Sequence, residues 1–457
     1  MSPPRTVDGH PLPFPKAEST KSYWLNWNTL QYPVTKPFPA SCDVLVIGAG
    51  LTGCSAAFHL AEIAGKDLDI AVLDARDVAY GASGRNGGIG RSSFGFAWKF
   101  KSEGKADFDM IRNKLAFQEE NIASMAQWHK RYLSRYPAAE PILERFDSDA
   151  LIAFFTPAEA EAERERQARI GTLGGKRDLP ESIDAEKVKA IYGCDAAKAG
   201  GMVVKPSYAV WTAKFCHALL RFASDLSRVN VQTHTLVHIV RRVAGAGSSS
   251  DAEFEFVAHT SKGDVRCKRV IYATNGYSRA LLPELLVTPV RGVCGSLIPE
   301  TAPPFRASVS ANHGYAYMSS RPDGRVVLGG FRDLQENNGQ GWNAEDSDVD
   351  PRVASGIEGF LEKNFGTKTR VEGVWSGTQG WTASGEPVTG QVPNRPGEYV
   401  SAGFSGMGMC KCFLSGKQAA LLALGRGWMA GFPDVWKMDH RLSDWSPSKR
   451  IKLGSSL

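Results

Sequence analysis

The chain has 457 residues, 42% hydrophobic and 22% charged, a balance that excludes intrinsic disorder and leaves core enough for two or three domains. Its net charge of +6 is modest for this length, and no lysine- and arginine-rich stripe is interleaved with aromatics, which points away from nucleic acid as a partner. The first twenty residues lack the apolar core of a leader and no run approaches the roughly 18 apolar residues of a membrane span, so a soluble cytosolic or organelle-matrix protein is expected. The last three residues, Ser455-Ser456-Leu457, resemble the Ser-Lys-Leu peroxisomal address only loosely. Eight cysteines are scattered, and the closest pair, Cys410 and Cys412, has neither redox nor zinc-knuckle spacing, so reduced thiols are expected.

Residues 1–40 are rich in proline and carry Tyr23, Trp24, Trp27, Tyr32 and Phe38. This composition predicts an extended arm docked by its aromatics, the alternative being a tail free as far as Thr20. Clear order begins at residue 42. Residues 44–47 (VLVI) form a continuous apolar run, as in a parallel strand buried on both faces. Gly48, Gly50 and Gly53 follow at G-x-G-x-x-G spacing: the first for a tight turn, the second for close approach of a pyrophosphate, the third for packing helix on strand. Leu51 and Thr52 open a helix to about residue 63, its first amides aimed at the phosphates. A second apolar strand, residues 69–73, ends in Asp74 and Ala75, and the acid stands at about the 20-residue offset where a carboxylate accepts hydrogen bonds from a ribose. Strand, triplet, helix, second strand and acid together predict a dinucleotide clamp, where an ordinary strand-to-helix turn would need only the first two.

Residues 81–88 read G-A-S-G-R-N-G-G, with Ala82, Ser83, Arg85, Asn86, Gly87 and Gly88 small or polar enough to let backbone approach a ligand. Placed just after the acid, this segment resembles the flavin-contacting segment of the D-amino acid oxidase-like superfamily. It is most similar to the branch containing gamma-glutamylputrescine oxidase, with glycine and sarcosine oxidases more distant. Further along, residues 105–132 carry an apolar stripe of helical period, 151–155 read as a strand, and the charge-dense run 159–169 has the composition of a solvated helix face. Residues 200–214 and the apolar helix 215–226 lead into a predicted strand at 231–240. Within it His234 and His238 have H-x-x-x-H spacing without the zincin glutamate, and four extended residues separate them too widely to share an ion, so no metal is expected. The resemblance makes the backbone at Val237 an adenine contact. Residues 269–278 (RVIYATNGYS) form a strand closing in Ala273, Thr274 and Asn275, similar to the superfamily's second dinucleotide contact. Residues 315–318 and 326–328, joined through Pro322-Asp323-Gly324, read as a hairpin of a further sheet, and 351–364 as a helix. Residues 375–389 return toward the flavin. Finally 399–417 carry Gly403, Ser405, Gly406, Met407 and Gly408 before a helix to about residue 424, which resembles the family's G-x-S-G-x-G loop. In that family the helix N-terminus faces the flavin's pyrimidine edge and favours the charge that develops there.

The resemblance implies an α/β (α+β overall) protein: a Rossmann-type FAD-binding domain from residues 41–140, 200–280 and 375–440, and a mixed-sheet substrate domain from 141–199 and 281–374. An arm at 1–40 and a tail at 441–457 flank them. It implies non-covalent FAD, because the position matching the tethering cysteine of covalent sarcosine oxidases falls in Gly377-Thr378-Gln379-Gly380. It also implies oxidation of the C–N bond of a small-molecule amine or amino acid, with O2 as acceptor. A dehydrogenase passing electrons to a quinone or protein, and a flavin-binding protein without turnover, remain alternatives. The candidate catalytic or substrate contacts are Tyr317, Arg332 and Trp381, with Tyr315 beside them.

Overall fold

The computed structural model describes residues 6–26, 36–92, 105–137, 143–172, 179–243, 255–304, 308–339 and 341–445. Trp27 and Tyr32 of the arm, and residues 455–457, lie outside that set. Two sheets organise the chain. In the first, Ser41–Ile47 pairs in parallel with Asp69–Leu73 on one side and Gly263–Tyr272 on the other. Arg228–Gln232 extends it beyond Asp69–Leu73, and Glu398–Ala402 runs parallel to the end of Gly263–Tyr272. Val237–Arg242, Phe256–Thr260 and Val388–Gln391 add antiparallel strands. Val44, Leu45 and Val46 are buried, as an unbroken apolar run requires of a strand covered on both faces.

Helices Leu51–Ala64, Thr212–Leu226 and Cys412–Ala423 pack together beside this sheet. Their close approach depends on Gly416, where a Cβ would fall 2.5 Å from the Thr52 carbonyl oxygen. Ser55 Oγ donates to the Phe413 carbonyl at 2.6 Å across the same crossing.

The second sheet has nine strands. Thr369–Trp381 lies at one edge beside Thr288–Pro299, followed by Val326–Gly330, Ala316–Ser320, Ser308–Ala311, Phe146–Ala153, Gly201–Ala209 and Ile89–Arg91, with Glu181–Ile183 also paired to Gly201–Ala209. The predicted hairpin is its Ala316–Ser320 and Val326–Gly330 pair. Helix Pro351–Phe365 covers it through Val353, Ile357 and Leu361.

Four expectations need correction. Strands Ile89–Arg91 and Gly201–Ala209 belong to the second sheet, not to the nucleotide half, and Thr369–Trp381 crosses the boundary expected at residue 375. An apolar run states that a strand is buried, not which sheet buries it. The strand expected over 231–240 is two, Arg228–Gln232 and Val237–Arg242, turned at His234 (φ 51°) because the first runs parallel to one neighbour and the second antiparallel to another. The His234 ring meets Asp77 at 2.9 Å. The charged helix Pro157–Thr172 is not solvated all round: Glu159 and Glu163 are buried, and Glu159 accepts the amide of Phe155 at 2.6 Å. Among the described residues no helix is long and apolar enough to cross a membrane.

Candidate active site

A cleft of about 1430 Å³, open mouth included, is lined by the C-terminal ends of the parallel strands and by residues of the second sheet, the place where open α/β sheets receive ligands. Its floor is the first glycine loop. Gly48 has φ +103°, and a Cβ there would lie 2.7 Å from the Ala273 oxygen; at Gly53 it would lie 1.8 Å from the Gly48 oxygen. Only glycine lets the helix start directly over the turn. Gly50, Leu51 and Thr52 face the cleft, and the Leu51 amide donates to Ser83 Oγ at 2.8 Å.

Asp74 and Ala75 line the wall beside this floor. One Asp74 oxygen accepts the Ala49 amide at 2.7 Å and the other the Arg76 amide at 2.8 Å. Burial pushes its carboxyl above the usual range, against the pull of those amides, and each oxygen retains a lone pair for a ligand hydroxyl. Val237, Ala273, Thr274 and Asn275 line the same cleft. Asn275 Oδ1 accepts the Gly403 amide at 3.1 Å, which ties the third glycine segment to the loop after Tyr272.

Ala82, Ser83, Arg85 and Asn86 line the cleft from the second glycine segment. The charged head of Arg85 is engaged elsewhere: it donates to the carbonyls of Tyr80 (2.9 Å), Thr20 (2.9 Å) and Ser376 (2.8 Å). Gly406 and Gly408 complete the wall. Three expected residues stand behind it instead of on it. Gly53 packs on Gly48, Gly88 would carry a Cβ 2.7 Å from Trp24, and Gly403 one 2.6 Å from Thr382.

A second cavity of about 1360 Å³, open mouth included, shares Asn86, Gly292, Tyr317, Gln379, Gly406 and Met409 with the first. It gathers Tyr315, Tyr317, Arg332 and Trp381, the expected substrate contacts, together with Gly87, Ser405 and Met407. The Arg332 guanidinium lies 4.4 Å from the Trp381 ring centroid, and its Nη1 is buried with no hydrogen-bond partner. Burial lowers its pKa. Trp381 Nε1 donates to Gln379 Oε1 at 2.9 Å. On the far wall Glu386 meets Lys114 at 2.8 Å and Lys411 at 3.3 Å. Burial alone would raise its carboxyl, but the two ammonium groups outweigh it and hold it below the usual range.

Sequence reasoning missed several lining residues: Phe14, Pro15, Arg76, Cys294, Gln379 and Met409. Arg76, two positions after the acid, bonds Asp346 at 2.7 Å and the Tyr277 hydroxyl at 3.1 Å. Gln379 sits in the stretch expected to face the flavin, in which only Trp381 is named as a substrate contact from sequence.

A Rossmann-type half with a cleft over its glycine loop, faced by a second sheet that carries its own cavity, is the architecture of a flavin-dependent oxidoreductase. The chain belongs to the DAO family of FAD dependent oxidoreductases, whose model matches residues 43–422. It is 26% identical over 422 residues to gamma-glutamylputrescine oxidoreductase of Escherichia coli (strain K12), covering 84% of each chain. To the probable oxidoreductase OrdL of Rhizobium meliloti (strain 1021) it is 25% identical over 421 residues, covering 88% of each. Among solved structures it is similar to glycine oxidase from Geobacillus kaustophilus, with TM-score 0.69 and 18% identity over 90% of this chain and 100% of that one. The cleft fits the family's cofactor. A bare glycine floor meets a helix N-terminus, and a buried acceptor stands one strand away.

Proposed function

We propose that this chain oxidises the carbon–nitrogen bond of a primary or secondary amine or amino acid to an imine. Two electrons and two protons leave the substrate and reach O2 as hydrogen peroxide. The observation that carries this reading is the second cavity, which adjoins the cofactor cleft through six shared residues and is lined by Tyr317 and by Arg332, whose buried, unpartnered Nη1 belongs to a guanidinium set against the Trp381 ring. It is supported by relatives described as a gamma-glutamylputrescine oxidoreductase and a glycine oxidase.

FAD, when bound, supplies the hydride acceptor. In this reading Gly48, Gly50, Leu51 and Thr52 hold its pyrophosphate, Asp74 its ribose, and the Val237 backbone its adenine. Ser83, Asn86, Asn275, Gly406 and Gly408 hold the ring end, where the N-terminus of Cys412–Ala423 favours negative charge. The cofactor is held without a covalent bond, since residues 377–380, where the tethering cysteine of covalent sarcosine oxidases is matched, read Gly-Thr-Gln-Gly. Arg332 pairs with a substrate carboxylate where there is one. Its charge, with water excluded by Trp381 and Tyr317, lowers the pKa of the bound amine and frees the nitrogen lone pair that drives hydride departure.

A panel of polyamines, N-methyl amino acids and D- and L-amino acids tests the reading, with one peroxide per imine as the expected yield for the best substrate. Turnover with an artificial acceptor but no peroxide would assign the dehydrogenase reading, and a flavin that no amine reduces would assign the non-catalytic one.

A further inference from the structure

The arm before Ser41–Ile47 follows the cofactor cleft from one end to the other. At the end that carries Val237, Asp8 pairs with the buried Arg279 at 2.7 Å, and Leu12 shares a surface depression with His238, Ala280 and Leu281. Phe14 and Pro15 then form part of the cleft wall itself. Beyond them the arm is bound to the second glycine segment group by group. Arg85 Nη2 donates to Ser19 Oγ at 2.7 Å, Ser22 Oγ donates to the Gly84 carbonyl at 2.7 Å, and Trp24 Nε1 donates to the Asn86 carbonyl at 2.5 Å. Trp24 is fully buried, edge-on to Trp211, whose Nε1 donates to the Trp24 carbonyl at 2.7 Å.

A segment rich in glycine has little stiffness of its own, and its carbonyls need partners once buried. Within residues 81–88 the only regular element is a single turn, Ala82–Gly84, and the carbonyls of Gly84 and Asn86 find their partners on the arm. Among the described residues, the arm's strands Thr6–Val7 and His10–Pro11 pair only with each other, and the arm forms no ladder with either large sheet, so its ordering entropy is offset by contacts with elements of the cleft.

We propose that residues 8–24 are part of the FAD site. Phe14 and Pro15 wall the seated cofactor, and Ser19 to Trp24 hold the second glycine segment in the shape that receives it. By linkage, bound FAD holds the arm down as much as the arm holds FAD. This rests on the family's FAD dependence alone and not on the amine reading.

Trypsin digestion of the wild-type protein with and without FAD tests it directly, because Lys16 and Lys21 of the arm are exposed. The expected result is cleavage after these lysines in the apoprotein and at least tenfold slower cleavage with FAD bound. The variants Phe14→Ala and Ser22→Ala are expected to weaken FAD retention about fivefold each, read by flavin fluorescence after ultrafiltration, with the apoprotein melting temperature unchanged in Phe14→Ala and lowered in Ser22→Ala, which also loses a buried hydrogen bond. Equal cleavage rates with and without FAD, or both variants retaining FAD like the wild type, would overturn the proposal. The digestion uses no variant, so a misfolded substitution leaves the test intact.

Discussion

Asp74 ties two functions to one carboxylate: it fixes the amides of Ala49 and Arg76 and it offers its remaining lone pairs to the cleft. Asp74→Ala removes a charge-assisted acceptor worth roughly 1.5–3 kcal/mol. FAD affinity measured by titration should fall about tenfold or more, and an unchanged affinity would contradict the ribose assignment. Glu386 is the other residue whose neighbours set its role. Replacing it by Gln leaves Lys114 and Lys411 without their shared carboxylate, and breaking a buried pair costs on the order of 3 kcal/mol. A clear drop in melting temperature is expected. Asp74 was legible because its information is local, a fixed offset from three glycines. Arg76 and Glu386 were not, since Asp346 and Lys114 come from distant parts of the chain and only folding brings them together.

At the scale of elements, the glycines divide by what surrounds them. Gly53 and Gly416 stand where one methyl group would meet backbone oxygen at 1.8 and 2.5 Å. Gly53→Ala and Gly416→Ala should therefore lower stability and cofactor retention together, seen as a lower melting temperature and a paler protein. Gly359 lies exposed inside Pro351–Phe365 with nothing within 4 Å of an added Cβ, so Gly359→Ala should raise stability by about 0.5–1 kcal/mol in denaturant unfolding. The three glycine segments could be read from sequence because turn, approach and helix start are short-range demands. Sheet membership could not. Gly201–Ala209 carries the same buried, apolar character as strands of the other sheet, and its pairing with Phe146–Ala153 is a tertiary fact.

Across the whole molecule, the arm, the nucleotide half and the second sheet meet at one cleft, and the aromatics of residues 23–24 announced only that the arm docks. That it docks on the second glycine segment depends on carbonyls of Gly84 and Asn86, which carry no signature in the sequence. Stability should also depend on acid as a property of the whole core. Burial lowers the pKa of His59 from 6.5 to about 3, and those of His129 and His217 from 6.5 to about 4. The unfolded chain therefore binds more protons than the folded one below pH 6.5. Stability from these groups is complete above that pH and declines as pH falls toward 4, by up to about 1.4 kcal/mol per unit for each histidine. Melting temperatures between pH 7.5 and 4.5 should fall on the acid side, and a flat profile would contradict this. The central claim, that the second cavity presents a neutral amine to the flavin, is tested most directly by the rate of anaerobic flavin reduction against pH with the best substrate of the panel. The account predicts a rate that climbs with pH and levels off below the amine's solution pKa, with Arg332→Met moving that plateau to higher pH. Reduction by NADH or NADPH alone, with every amine inert, would contradict it.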